Sequence, residues 1–311
     1  MIVLTKWNKS LTIDGILNLD KPRGRTSFGV VALVRRLSGE RRVGHAGTLD
    51  PEATGVLPVC LGQGTRLIEF LAEAKKVYRA EIELGISTDT YDAAGKVTCR
   101  GDASSLTREQ VEAAVASFIG FIDQTPPKYS AIKHQGIPLY RWARAGVEVP
   151  RKARRVELYR LDVVDWQLPL LTLEVECSKG TYIRSLAHDL GQKLECGAHL
   201  RNLARLKSGP FYISDAITIS RLEEAFRQGH WSELIYPIDK AVLHLPLVTV
   251  NDENERAIMN GRPLALGLAN DTYRQLLRAY SSDGCFIALL RYDEQRGYWR
   301  PEKVFKERAE S

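Results

Sequence analysis

Residues 43–65 read VGHAGTLDPEATGVLPVCLGQGT, and the rest of the chain is best understood outward from them. Four glycines between Gly44 and Gly62, with Pro51 and Pro58, exclude regular helix through the first half and describe a shaped loop. Asp50 of GTLDP sits in a tight Gly/Pro turn, where the ordinary role of an aspartate is to close an Asx turn on its own backbone. The stretch lacks the Lys-Ser or Lys-Thr that a GxxxxGK[ST] phosphate loop requires, and the chain carries neither GxGxxG nor GxSxG. Nucleotide hydrolysis and serine-elbow chemistry are therefore excluded.

Upstream, GILNLDKP is a short apolar strand, and Ser27–Leu37 places Val30, Val31, Val34 and Leu37 at helical spacing. Arg35 and Arg36 lie in the last turn, and Gly39 closes the helix. Downstream, residues 77–84 alternate strictly. Tyr78, Ala80, Ile82 and Leu84 share one face, which directs the tyrosine inward. Thr107 and Gln110 form a capping box for a helix whose Val111, Ala114, Val115 and Phe118 face the core. Strands are expected at about 156–166 and 170–177. Thr181 is expected to cap a helix bearing Ile183, Leu186, Ala187, Leu190 and Leu194. Arg184 stands in the first turn of that helix, where a cation opposes the macrodipole by roughly 0.3–1 kcal/mol, so a compensating anion is expected beside it. In HLRNLARLKSGPF, alternation puts Arg201, Leu203, Arg205 and Lys207 on one face and Leu200, Ala204 and Leu206 on the other.

The 311 residues carry a formal net charge of +6, and residues 121–160 alone hold nine Lys or Arg against three Asp or Glu. This segment mixes Pro126, Pro127, Pro138, Tyr129, Tyr140 and Trp142 among its cations. From Thr125 to Arg155 it reads as an exposed excursion suited to a polyanion. Cysteines 60, 99, 177, 196 and 285 fit neither a CxxC site nor a disulfide framework, and His45, His188 and His199 lack metal-ligand spacing. No metal or cofactor is expected. The longest apolar runs fall far short of the roughly 20 residues needed to cross a bilayer, so a soluble, cytoplasmic protein is expected. The texture changes after Pro246, where LVTVNDENERAIMNGRPL reads strand, short helix, turn. The SDGCFIALLRYDEQRGYWRPEKVF segment then reads as a hairpin introduced by Asp283-Gly284, and a charged tail follows Phe305. Residues alone thus give an α+β protein with an RNA-sized basic excursion.

The run GHAGTLDPEATGVLPVCLGQGTRL, with GILNLDKPRGRTS before it, resembles the bacterial tRNA pseudouridine-55 synthases of the TruB family. The match continues, in family order, through KVYRAEIELGISTDTYDAAG, TPPKYSAIKHQGIPLYRWARAG, SKGTYIRSLAHDLG and GAHLRNLARLKSGPF, spanning residues 13–245. The resemblance implies a catalytic body, residues 1–246, built on a mixed, mainly antiparallel sheet, and a small PUA-like domain, residues 247–311. It implies isomerisation of uridine 55 in the tRNA T-arm loop, by a monomer without obligatory protein partner or guide RNA. RNA-guided relatives, the catalytic subunits of H/ACA particles, share GHxGTLDP-type motifs, and a tRNA-folding chaperone is the alternative outside enzymes.

Carried onto this chain, Asp50 becomes the catalytic aspartate, Tyr78 the tyrosine that stacks on the base, and Arg184 the aspartate's partner, expected to depress its pKa. His45 becomes the residue that fills the space left by the flipped uridine, and Leu203 an apolar pocket residue. Tyr182, beside Arg184, joins the substrate-binding set. Lys21, with the basic face of Arg201, Arg205 and Lys207, is assigned to phosphate contacts or local structure, and the 125–155 excursion closes over the T-arm.

Overall fold

A computed structural model describes residues 13–266 and 276–305. The expected charged tail after Phe305 lies outside them. The body opens with β1 (Gly15–Lys21), α1 (Ser27–Ser38), β2 (Val43–His45) and β3 (Thr54–Leu61), then a 3₁₀ turn over Gly62–Leu67 and the short α2 (Ile68–Glu73). There follow β4 (Lys76–Leu84), the small hairpin β5 (Ile86–Thr88) and β6 (Val97–Arg100), α3 (Arg108–Ala116) and β7 (Gly120–Gln124). The excursion carries its own hairpin, β8 (Lys133–His134) and β9 (Ile137–Pro138), and α4 (Leu139–Arg144), tied down by the buried Leu139. Long antiparallel strands β10 (Arg154–Gln167) and β11 (Leu170–Cys177) lead to α5 (Ile183–Lys193) and β12 (Ala198–Ser208). The body ends with β13 (Phe211–Tyr212), β14 (Ile217–Thr218), α6 (Ile219–Gln228) and β15 (Ile235–Tyr236).

These strands make one mixed, mainly antiparallel sheet in the order β14-β1-β3-β12-β4-β11-β10-β7, with β13 on β12, β15 on β1 and β2 on β3. Only the β1/β14 and β3/β12 pairings are parallel. From Leu247 a separate four-stranded sheet begins: β16 (Leu247–Thr249), α7 (Asp252–Met259), β17 (Leu276–Tyr280), β18 (Phe286–Asp293) and β19 (Tyr298–Val304). The Asp283-Gly284 turn joins β17 to β18. Phe286, Leu289 and Phe305 of this unit pack with Leu67, Leu71 and Val242 of the body, and Tyr280 donates to Asp239 at 2.7 Å.

Helix α1 forms as its apolar spacing dictates, capped by Thr26 and closed by Gly39 in the left-handed region. Its Val30, Val31, Leu33 and Val34 pack on Leu17, Leu19, Leu57 and Val59 of β1 and β3. The capping box of Thr107 and Gln110 is present on α3, and α3 and α5 cover β4, β11 and β10 through a second apolar cluster.

Three expectations need correction. The second half of 43–65 is not loop: VLPVCL is the buried core of β3, paired with β1 and, at its end, with β2, and a strand covered on both faces shows no alternation to betray it. Thr181 does not cap α5. Tyr182 takes that position, while Thr181 Oγ1 donates to Ser178 O at 3.0 Å. Arg205 does not share a solvent face with Arg201 and Lys207. Bulges between Leu200 and Asn202 and between Arg205 and Lys207 break the period of two, and the arginine turns fully into the body.

Candidate active site

The loop between β2 and β3 is held by buried donors. Ser27 Oγ accepts the Leu49 N–H at 3.0 Å and donates to Leu49 O at 3.1 Å, fixing the residue before Asp50. Lys21 Nζ, fully buried, donates to Pro22 O (2.9 Å), Arg25 O (2.6 Å) and Pro51 O (3.0 Å). Its three protons are thereby used, so of the two roles expected for Lys21 the geometry favours local structure over phosphate contact. Burial lowers its pKa to about 8, against the pull of Glu52 and Asp50. Arg205 donates from Nη2 to Gly47 O at 3.0 Å and from Nε to Val56 O at 2.7 Å, pinning both ends of the loop.

At Gly55 the backbone has φ +99°, and a Cβ would lie 2.3 Å from Arg205 O, so β3 and β12 can approach only through glycine there. Gly55→Ala should lower the unfolding free energy by about 1–3 kcal/mol or more, from backbone strain and overpacking together. Chemical denaturation reads this directly, and an unchanged midpoint would contradict the close packing.

The pinned loop turns the Asp50 carboxylate into a cleft of about 370 Å³, lined also by Arg23, Ala53, Asp92, Arg184, Leu200 and Leu203. Arg184 approaches from the first turn of α5. Its Nε stands 3.0 Å from Asp50 Oδ2, its Nη1 3.3 Å from Asp92 Oδ2, and its Nη2 donates to Tyr129 O at 2.8 Å. The anion expected at this unfavourable helix end is thus present twice. Arg184 is 6% exposed while the Asp50 side chain is 44% exposed, so the cation is a wall of the cleft and the carboxylate its accessible face.

The electrostatics differ from expectation in sign. Burial pushes the Asp50 carboxyl above the ordinary aspartate range; Arg184 and Lys21 pull it back only in part, and Asp92 adds to the upward push. Burial is the larger cause; the sharing of one guanidinium between Asp50 and Asp92 adds to it. Asp92 was missed in the sequence because STDTYDAAG announces only a loop. Thr90 Oγ1 donates to Asp92 Oδ1 at 2.6 Å and the Ala94 N–H to the same oxygen at 3.1 Å, which holds the other oxygen toward an arginine 92 positions away.

Tyr78, on β4 opposite Arg205 in register, is half-buried. Burial raises its phenol, Arg205 beside it pulls it down, and the charge of Asp50 is felt there. Tyr182 is also near, its phenol raised by burial and touched by the charges of Arg184 and Asp50. Its backbone is clasped by Gln124, which accepts the Tyr182 N–H at 2.7 Å and donates to Tyr182 O at 3.0 Å. This glutamine at the end of β7, invisible in the sequence, joins the root of the excursion to the N-terminus of α5. Ser185 Oγ adds a 2.8 Å bond to Thr125 O.

Leu203 lines the cleft. His45 lies to the side, on β2, its ring edge-on to Phe28 at 5.4 Å, with Nδ1 buried and without a hydrogen-bond partner. Burial, helped by Arg205, lowers its pKa and keeps the imidazole neutral. Asp50, Arg184 and Leu203 therefore share the cleft, Tyr78 and Tyr182 stand close to its charges, and Lys21 lies under the loop. Among the described residues no three His, Cys, Asp or Glu side chains are grouped as metal ligands, and no helix is long and apolar enough to cross a membrane. The arrangement offers one accessible carboxylate on a rigid loop, a buried cation behind it and aromatic rings nearby. That constellation suits nucleophilic or base chemistry on a planar, uncharged group.

Comparison with known proteins adds the following. Residues 35–183 match the TruB family pseudouridylate synthase N-terminal domain, and residues 184–243 the tRNA pseudouridylate synthase B C-terminal domain. A protein of Dehalococcoides mccartyi named tRNA pseudouridine synthase B is 44% identical over 293 residues, covering 94% of this chain and 97% of its own. One of the same name from Clostridium perfringens is 42% identical over 287 residues, covering 91% and 96%. Among solved structures, a Cbf5-Nop10-Gar1 complex contains a chain of TM-score 0.73 and 30% identity, with 94% of this chain and 84% of that one aligned. An H/ACA RNP bound to a substrate RNA containing 2′-deoxyuridine gives TM-score 0.73 at 28% identity, covering 95% and 86%.

Proposed function

The chain belongs to the TruB family of pseudouridylate synthases, and we propose that it isomerises a uridine of tRNA, uridine 55 of the T-arm loop, with Asp50 as the reacting carboxylate. The observation that carries this reading is the pairing of Asp50 with Arg184 inside the cleft, on a loop held by Ser27, Lys21 and Arg205. The isomerisation breaks the bond from N1 of uracil to C1′, turns the base and closes a bond from C5 to the same carbon. One bond is exchanged for another without redox change, so the reading calls for no cofactor. Attack at C1′, addition to C6 and removal of the C2′ proton all begin from ionised Asp50, whose charge Arg184 supports.

To reach the cleft the uridine leaves its stack, at a cost of a few kcal/mol. Stacking on Tyr78, of the order of 1–3 kcal/mol per base, holds the detached uracil. His45, neutral and edge-on to Phe28, is the ring available to fill the vacated place. The excursion over 125–155, tied to α5 through Gln124 and Ser185, lies over the T-arm. Residues 247–311 form the second, PUA-like domain. The named synthase relatives match over nearly their whole length, which favours a stand-alone enzyme over a guide-dependent subunit.

An unmodified tRNA transcript incubated with the protein in EDTA, without guide RNA, should gain one pseudouridine, at T-loop position 55. Modification elsewhere would displace the positional assignment, and binding without conversion would favour a chaperone or guide-dependent role. The affinity should fall with salt, at a log–log slope of about −0.7 to −0.9 per phosphate contacted. A salt-independent affinity would contradict RNA binding.

A further inference from the structure

The outer face of α1 is the least explained surface of the body. Phe28 is 74% exposed, more than any other large hydrophobic side chain among the described residues. The helix's remaining exposed positions are Gly29, Ala32, Arg35 and Arg36, so the aromatic ring is followed by a low, unobstructed surface and then by cations. Between Pro22 and Arg42 six arginines stand against one acid, Glu40, which is buried. Arg23 and Arg42 are paired with Glu52 and Glu40, and Arg35 donates to Val43 O. Arg25, Arg36 and Arg41 make no ion pair among the described residues.

A run of charge is commonly just a solvated face. Two features set this one apart. An exposed phenyl ring has no solvation reason to be there, since burying it would be worth roughly 1.5–3 kcal/mol. Its position is also fixed relative to the cleft: the adjacent Ser27 exchanges two hydrogen bonds with Leu49, next to Asp50, and the ring meets His45 edge-on. Topology adds a third point. Helix α1 packs on β1 and β3, whereas the basic excursion leaves β7 at the opposite margin of the sheet, with β12, β4, β11 and β10 between them. The body thus presents a cationic surface on α1 as well as on the excursion.

We propose that the outer face of α1 is a second RNA-docking surface, on which Phe28 stacks against a base of the substrate loop and Arg36 and Arg41 meet backbone phosphates. From Phe28 to Arg36 the helix rises about 12 Å, which separates the stacking contact from the charged one along a single strand of RNA. The inference rests on the tRNA-modifying role proposed above.

It is tested with full-length protein and an unmodified tRNA transcript. Phe28→Ala should weaken binding by about 5- to 150-fold, the range for losing one stacked base, while retaining the fold by circular dichroism. Phe28→Trp should bind normally, its added indole being quenched by tRNA beyond the response of the wild-type tryptophans. Arg36→Ala combined with Arg41→Ala should reduce the magnitude of the log–log salt slope by about 1.4–1.8, two phosphates' worth, whereas Arg108→Ala on α3 should leave it unchanged. Unchanged affinity of Phe28→Ala, or an unquenched indole, overturns the stacking contact. A wild-type slope in the double variant overturns the phosphate contacts, and both together leave the face to a protein partner or to solvent. Wild-type protein that binds no tRNA would instead overturn the tRNA-modifying role itself.

Discussion

Asp50→Asn should reduce conversion of tRNA by roughly 10⁴-fold or more, the scale on which enzymes lose turnover when a reacting side chain is removed. The affinity for tRNA should stay within a few-fold of wild type. The amide keeps the shape of the carboxylate and leaves the loop contacts of Ser27, Lys21 and Arg205 intact, because none of them touches the Asp50 side chain. Stability should move the other way. Burial holds the Asp50 pKa above its unfolded value, so the folded state binds the extra proton. The associated stabilisation is present below the ordinary aspartate range and is lost as pH rises through the raised folded-state value. At neutral pH the ionised carboxylate is therefore a liability to the fold, and Asp50→Asn should melt at the same temperature as wild type or above it. Calorimetry at pH 7 alongside single-turnover conversion checks both. A variant that is inactive and also markedly less stable would mean that Asp50 is chiefly structural.

This opposition of activity and stability explains why the site was only partly legible in the sequence. What announces itself locally was readable: the spacing of Val30, Val31 and Val34, the alternation through Tyr78 to Leu84, the box of Thr107 and Gln110, and the cation at the head of α5. Each is a pattern within one turn or one strand. What failed was set by tertiary placement. The strand VLPVCL has no period because both its faces are covered, and Arg205 is buried because two bulges rotate it out of alternation. Asp92 and Gln124 matter only because the fold brings them to Arg184 and Tyr182, across 92 and 58 positions. Composition and spacing alone left Asp50 as a turn residue; the family motifs, and then the cleft, make it more than that.

The same tertiary placement makes Arg184 the residue on which fold and chemistry meet. One guanidinium faces Asp50 and Asp92 and also donates to the carbonyl of Tyr129, in the excursion. Lysine offers a point charge that cannot reach in these directions at once. Arg184→Lys should therefore fold but lose about 10²- to 10³-fold in turnover, the usual consequence of removing one aimed electrostatic contact. Arg184→Met leaves two carboxylates facing each other without a cation; breaking a fully buried pair costs roughly 3–5 kcal/mol, and the partial exposure of Asp50 and Asp92 puts the loss here below that range. It should also raise the Asp50 pKa further, moving the acid limb of the pH–rate profile upward, because the cation that favours ionisation is gone. Adding Asp92→Asn to Arg184→Met removes one of the unpaired charges. The double variant should regain part of the lost stability and bring the acid limb back down. Because Asp92 is held by Thr90 and Ala94 independently of the arginine, this recovery isolates the charge from the loss of packing. An Arg184→Met protein as stable as wild type, or a double variant no better than the single one, would show that the two carboxylates do not compete for Arg184, and that the raised Asp50 pKa has its origin in burial alone.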